Sequence, residues 1–429
     1  MKIYDTKAGN VKDLYALLEQ RSKSSSADIT SKVRDVITNV LENGDRALLD
    51  YCEMFDKVRP EKLVLTSDDI EAAASKLDPA IYAIMEEAAD NIRIYHEKQL
   101  ASGYEIESKG KTLGRIVRPL SRVGVYVPGG TAAYPSTVLM NCIPASVAGV
   151  EEIIIATPPK KEGLNPAIAA AAQIAGIKKV INAGGAQAIA ALAYGTESVP
   201  KADKIVGPGN MFVAEAKRQV YGIVDIDMIA GPSEVCIVAD SGAKADFVAA
   251  DMLSQLEHDR AASAVLITTD KNLAENVNTN IYEQLERLPR KEIASESLEK
   301  FSAIVITESM DEAFEVANRV APEHLEILAE NPHDMLSKVK NAGSIFLGEY
   351  SPEPMGDYFA GTNHVLPTSG TARFSSPLSV DDFVKKMSYL SYSEKAFMRD
   401  ADSVIRFAET EGLDAHANSV RIRLSEKQS

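Results

Sequence analysis

From about residue 122 the chain alternates short apolar runs with Gly-rich turns and helical stretches, and this alternation limits its fold more than any other feature. RVGVYVPGG reads as a strand ending in a loop, and VEEIIIATPP as a second strand. KKVINAGGAQAIAALAYG passes from strand through a Gly-Gly turn into an Ala-rich helix, and KIVGPGNMFVAEAKRQV repeats that order. A second series follows: EVCIVAD, a helix through 244–257, SAVLITTD, a helix from about 271, SAIVIT, another helix and GSIFLG. Strands separated by helix-length segments pair in parallel through crossovers, and such sheets collect ligands at the carboxyl ends of their strands. The expected class is α/β, with two Rossmann-like (incomplete, doubly wound) parallel-sheet domains that meet near residues 230–240.

Helical extensions flank this alternation. Ile29, Val33, Val36, Ile37, Val40 and Leu41 recur at helical spacing, and Asn43-Gly44 supplies a stop. A second helix starts near Ser67-Asp68-Asp69 and a third runs from about Pro79 to Leu100. After about residue 380 a charged helical tail is too small to bury a core alone, so it packs on the main body or reaches to another subunit. The expected division is an N-terminal helical segment over 1–25, a first α/β domain from 26–121 and 235–378, a second from 122–234, and the tail over 379–429.

The 62 acidic side chains outnumber the 46 basic ones, for a formal charge of −16. That argues against nucleic-acid and anionic-membrane partners, which need a basic face, but leaves room for a small anionic cofactor held by backbone amides. Cys52, Cys142 and Cys236 are far apart and lack Cys-x-x-Cys spacing, so no disulfide framework is expected; Cys142 and Cys236 read as buried fillers. The N-terminus has no apolar signal core, and no run reaches the roughly 18 apolar residues of a membrane span. A cytoplasmic location is the expectation.

Chemistry gathers around six histidines, His96, His258, His324, His333, His364 and His416. Glu323-His324 sets a carboxylate beside an imidazole. For an alcohol substrate, a neutral imidazole can take the hydroxyl proton as hydride leaves the carbon, and a partly buried carboxylate can activate water toward the resulting carbonyl. The competing reading has Pro322 opening a helix whose first turn favours Glu323. Gln255 and His258 share one face of an expected helix; with Asp357 and His416 they would suit Zn²⁺, although no H-E-x-x-H or paired-cysteine motif anchors that set. No G-x-G-x-x-G loop is present. Three other turns, Val127-Pro128-Gly129-Gly130, Gly184-Gly185-Ala186-Gln187 and Gly207-Pro208-Gly209-Asn210, favour a nucleotide pocket in which Tyr126, Gln187 and Asn210 could fix a base or ribose.

RVGVYVPGGTAAYPSTVLMN, NAGGAQAIAALAYGTESVP, DKIVGPGN, AGPSEV, LSQLEHD, APEHLE, GDYFAGTNHVLPTSGTARFSSPLSV and EGLDAHANSV, in this order over nearly the whole chain, closely resemble the histidinol dehydrogenase family. The resemblance implies oxidation of L-histidinol to L-histidine, the last step of histidine biosynthesis, with two NAD⁺ used in succession through a bound aldehyde. It implies one Zn²⁺ per subunit and a homodimer with shared active sites. The zinc positions would be Gln255, His258, Asp357 and His416, and the acid–base pair Glu323 and His324. Substrate contacts would be Ser233, His364 and Glu411, with the metal ligands and His324. The NAD positions would be Tyr126, Gln187 and Asn210, and Glu411 and His416 would serve the other subunit's site. His96 and His333 match no functional position and read as surface residues. Ser146 stands where family members commonly carry lysine, removing a charge near the nucleotide domain. Rival readings are a relative that oxidises another primary amino or hydroxy alcohol, a metal-dependent hydrolase, and a non-catalytic nucleotide-binding protein.

Overall fold

Two six-stranded sheets of matching strand order frame the molecule. The computed structural model describes residues 1–21, 27–129 and 133–425, so Gly130 of the first Gly-rich turn lies outside the described residues. The chain divides into one unit of Met1–Gln99 with Leu120–Phe383 and another of Leu100–Pro119 with Val384–Ser429.

The first unit opens with β1 (Lys2–Asp5) and α1 (Val11–Arg21), followed by α2 (Ala27–Tyr51), β2 (Val64–Leu65), α3 (Ser67–Ala74) and α4 (Pro79–Glu97). The expected stop at Gly44 is a break within α2: Gly44 sits at φ 51°, ψ −133°, and the helix then resumes. Thr66 and Asp69 cap α3 reciprocally, and Asp78 caps α4 ahead of Pro79. β3 (Tyr104–Ser108) and β4 (Lys111–Pro119) belong to the second unit.

The first sheet then forms from β5 (Arg122–Tyr126), α5 (Pro135–Val147), β6 (Glu152–Thr157), α6 (Pro166–Ile174), β7 (Lys179–Asn182), α7 (Gly185–Tyr194), β8 (Lys204–Val206), α8 (Met211–Val220) and β9 (Asp225–Ile226). Its order is β2-β7-β6-β5-β8-β9, parallel throughout except for β2 against β7. The second sheet comes from β10 (Glu234–Ala239), α9 (Ala245–Leu256), β11 (Ser263–Thr268), α10 (Lys271–Leu285), α11 (Lys291–Phe301), β12 (Ala303–Ile306), α12 (Met310–Val320), β13 (His324–Leu328) and β14 (Ser344–Leu347). Its order is β1-β12-β11-β10-β13-β14, all parallel. Each sheet grows outward from its first long strand in one direction and then the other, which is the doubly wound pattern expected. Every residue of β10 and β11 is buried, as helices on both faces require.

The N-terminal elements attach differently from the expected division. Val33, Ile37, Val40 and Leu48 of α2 pack with Ile154, Ile181, Ile189 and Ile205, while Ile70 of α3 and Met85 and Ile92 of α4 pack with Val123, Val125, Ile143 and Val180. Residues 27–97 therefore cover the sheet of 122–226, not that of 234–347. The N-terminal segment is not purely helical, because β1 pairs with β12 as an edge strand and Tyr4 and Leu14 join the core of the second sheet. A four-residue edge strand carries too little alternation to read from sequence.

In the second unit the tail begins as a strand rather than a helix. β15 (Val384–Tyr392) pairs antiparallel with β4 from Val384↔Pro119 to Tyr392↔Lys111, and β3 pairs with β4 on the other side. Helices Glu394–Thr410 and Asp414–Ser425 follow. This unit leaves large apolar side chains in solvent, with Leu390 and Phe407 each 69% exposed. No helix among the described residues is long and apolar enough to cross a membrane. All three cysteines are buried and free.

Candidate functional site

Glu323 and His324 lie where α12 gives way to β13. Ala321 ends α12 in the left-handed region (φ 53°), Pro322 prevents resumption, and His324 is the first residue of the strand. The reading of Glu323 as a first-turn helix residue is thereby excluded. Both side chains are buried. The Glu234 N–H donates to Glu323 Oε2 at 2.9 Å, and His324 Nδ1 lies 3.0 Å from the Glu234 carbonyl oxygen. A carbonyl can only accept, so the ring's fixed proton is on Nδ1 and its free lone pair on Nε2.

His324 Nε2 is buried without a hydrogen-bond partner. It faces Asp357 Oδ1 at 3.7 Å and Glu353 Oε1 at 4.0 Å, and the ligand atoms of His324, Glu353 and Asp357 all fall within 4.8 Å of one another. Burial pushes the Glu323 carboxyl up to about 7, against the pull of His324. Burial would lower the His324 ring, but Glu323, Asp357 and Glu353 together raise it to about 9, so the ring is the neutral base with its lone pair on Nε2 only once a cation offsets these carboxylates. Burial likewise favours a neutral Asp357, yet the His324 and His364 rings hold it below the usual carboxylate range. Glu353 is driven upward, first by burial and then by Asp357. An excess of buried carboxylates around one imidazole is costly unless a cation joins them.

Gln255, near the end of α9, is 1% exposed, and neither its Oε1 nor its Nε2 has a partner. A buried amide in that state costs about 1–3 kcal/mol unless something completes it. His258 follows just past the helix end, so Gln255 and His258 do not share one face of a continuous helix. His258 is an exposed residue, although partial burial of its ring lowers its pKa, with Asp357 opposing. His364 is half-buried, its Nδ1 3.1 Å from the Asp357 carbonyl oxygen. Gly356 admits the Asp357 segment, because a Cβ there would stand 2.6 Å from the Phe346 ring. The ligand atoms that the fold groups closely are those of His324, Glu353 and Asp357, a donor set that suits a borderline divalent cation such as Zn²⁺. Ser233 immediately precedes β10. Glu411 and His416 belong to the second unit, where both are exposed.

The Gly-rich turns lie at the carboxyl edge of the first sheet, after β5, β7 and β8. Tyr126 is buried at the end of β5, and its hydroxyl accepts the Gly185 N–H at 3.0 Å. Gln187 is buried in α7, and Asn210 caps α8 by accepting from the Phe212 and Val213 N–H groups. The glycines serve the protein's own packing as well as any ligand: a Cβ on Gly184 would meet Pro158 at 2.2 Å, and Gly207 sits at φ 109° against the Tyr126 carbonyl. Buried Lys217 fixes the last turn by donating to the Gly207 carbonyl at 3.0 Å and pairing with Asp227, which accepts the Gly207 N–H. Pro128, Gly129, Thr157, Pro158, Asn165 and Asn182 line a cleft at this edge.

Two expectations need correction. His96 is fully buried, with Nδ1 2.8 Å from the Ile92 carbonyl oxygen and Nε2 facing the Asn363 amide, so it is a core residue; His333 is exposed as expected. Ser146 is exposed in the last turn of α5, at the opposite end of that helix from the Gly-rich turns. Sequence reading also missed Glu353, Glu234 and Arg21. A glutamate between two prolines, in SPEPMGD, was the available signal for the first; nothing local marks the other two.

A family profile described as Histidinol dehydrogenase matches residues 19–424. The histidinol dehydrogenase of Clostridium acetobutylicum is 56% identical over 408 residues, 95% of either chain. That of Listeria innocua is 52% identical over 415 residues, 96% of this chain and 97% of that one. The crystal structure of histidinol dehydrogenase from Elizabethkingia anophelis superposes with a TM-score of 0.94 at 39% identity, covering 100% of this chain and 99% of that one.

Proposed function

Because the chain belongs to the histidinol dehydrogenase family, we propose that it oxidises L-histidinol to L-histidine with NAD⁺, through a bound aldehyde, at a site holding one zinc ion per subunit. The observation that carries this reading is the buried Glu323–His324 pair, whose unpartnered Nε2 opens toward Asp357. The unsatisfied Gln255 amide supports a metal there, with Gln255, His258 and Asp357 as ligands and His416 completing the set. Bound zinc would hold the substrate's imidazole and amino nitrogens and so orient the carbinol carbon.

The protein's part is proton handling. In the first oxidation a hydride passes from the carbinol carbon to NAD⁺, and His324 Nε2 takes the hydroxyl proton, leaving the aldehyde. The Nδ1–H bond to the Glu234 carbonyl keeps the lone pair on the nitrogen that needs it. Glu323, pushed up to about 7, is poised as a general base near neutral pH and takes a proton from the water that adds to the carbonyl, while His324 returns its proton to the carbonyl oxygen, giving the hydrate and a neutral ring. In the second oxidation, for which another NAD⁺ would supply the hydride acceptor, His324 takes one hydroxyl proton of the hydrate, and the acid so formed loses its remaining proton to leave the carboxylate. Retention of the aldehyde follows from one pair serving both steps. Ser233, His364 and Glu411 would contact the substrate, and Tyr126, Gln187 and Asn210 the dinucleotide.

Glu411 and His416 are exposed on a unit that also exposes Leu390 and Phe407, which supports a homodimer whose tails complete the neighbouring sites. Mixing His416→Asn with His324→Asn chains tests this. Hybrid dimers should regain activity absent from either variant alone, and no recovery would contradict shared sites.

A further inference from the structure

Arg21, the last residue of α1, is distant in sequence from every residue given a role above, yet its side chain is only 1% exposed. It forms an ion pair with buried Glu234 and also donates to the Ser233 carbonyl at 3.2 Å, the Ala261 carbonyl at 3.3 Å and Ser263 Oγ at 2.8 Å. The other Glu234 oxygen accepts the Ser369 N–H at 2.9 Å, and Ser369 is a non-glycine residue held at φ 56°. A residue kept in that region indicates that its surroundings over-determine the local backbone.

The same Glu234 residue holds both members of the acid–base pair through its main chain, its N–H on Glu323 Oε2 and its carbonyl on His324 Nδ1. We infer that Arg21 is a positioning residue for this pair, fixing Glu234 through its carboxylate and the preceding Ser233 carbonyl, so that the Glu234 N–H sets the Glu323 rotamer and the Glu234 carbonyl the His324 tautomer. Burying a guanidinium and a carboxylate together is rarely a net source of stability, since desolvation offsets their attraction. The fork of Arg21 instead ties the entry of β10 to that of β11 by bonding the peptides before each strand. Lysine, with a single point charge, could pair with Glu234 but could not hold Ser233 and Ala261 as well.

This inference rests on the reading that Glu323 and His324 carry the proton transfers. The test compares wild type, Arg21→Met and Arg21→Lys, measuring NADH formation from histidinol with kcat normalised to tightly bound zinc, so that misfolded chains do not count. A loosened pair should lower normalised kcat roughly 10- to 100-fold in Arg21→Met and less in Arg21→Lys, since misplacement of about 1 Å has that effect. The KM for NAD⁺ should stay within about threefold, because Tyr126, Gln187 and Asn210 lie at the other sheet, whereas the KM for histidinol also reads Ser233, whose carbonyl Arg21 holds. Unchanged normalised kcat in Arg21→Met would overturn the inference, as would a KM for NAD⁺ rising in step with any loss of kcat. If Arg21→Met does not fold, wild-type normalised kcat in Arg21→Lys overturns it equally. A wild-type protein that forms no NADH from histidinol would instead refute the functional reading itself.

Discussion

The two sheets share one strand order and use opposite edges. In the first, the segments after β5, β6 and β7 line a cleft at the carboxyl edge, the edge where doubly wound sheets ordinarily bind nucleotides. In the second, the equivalent crevice between β10 and β13 is closed. The Asp240 N–H donates to the Leu328 carbonyl, and its carboxylate accepts from the Gly242 and Glu330 N–H groups. The chemically equipped residues stand instead at the amino edge, with Glu234 opening β10 and His324 opening β13. Topology thus predicts the location of one candidate site and misleads about the other. Each edge is braced by its own buried cation, Lys217 at the first sheet and Arg21 at the second.

If the edges divide the work, damage at one should leave the other's signature intact. The largest effect is expected at the amino edge of the second sheet. His324→Asn should slow both oxidations by roughly a hundred- to ten-thousand-fold, and Glu323→Gln should slow the second more than the first. Rapid-quench measurement of the two steps checks this, and equal slowing by Glu323→Gln would remove its assigned role. Next comes Gln255→Leu, where the sign depends on the metal. Stripped of zinc, the variant should be as stable as wild type or more so by up to about 1–3 kcal/mol, because two unpartnered buried groups are gone. With zinc supplied, its metal-to-protein ratio should fall below that of wild type. Thermal melts with and without chelator, together with metal analysis, read both halves.

At the carboxyl edge of the first sheet, Lys217→Met should raise the KM for NAD⁺ about tenfold, or ~1.4 kcal/mol, by freeing the Gly207 turn. Zinc content should not change; if it fell, the two edges would not be independent. The smallest effect belongs to Ser146→Lys. On an exposed position at the far end of α5, it should alter stability by less than about 0.5 kcal/mol and leave the NAD⁺ dependence of the rate unchanged in a steady-state titration.

What could be read in the sequence follows the range of the interactions involved. The alternating segments after residue 122, α9 and the start of α10 were legible because periodicity and caps are local. Attachment of α2–α4 to the first sheet was not, since it depends on which apolar face meets which, as Ile37 and Ile92 show. β15 left no alternation to read, since Lys385 and Lys386 are adjacent and every residue after Val384 is exposed, so no burial imposes a pattern. Within the site, Glu323, His324, Asp357 and His364 stood out by type and company. Glu353, Glu234 and Arg21 act through contacts across 29 to 213 positions of chain, and no local spacing records such distances.

The most direct test of the proposed chemistry is the NADH yield per histidinol consumed, taken with zinc analysis of the same sample. Two NADH and one histidine per histidinol, lost when zinc is removed and regained when it is restored, is the predicted result. One NADH with free aldehyde accumulating, or a full yield from zinc-free protein, would contradict a single metal-bearing site that completes both oxidations.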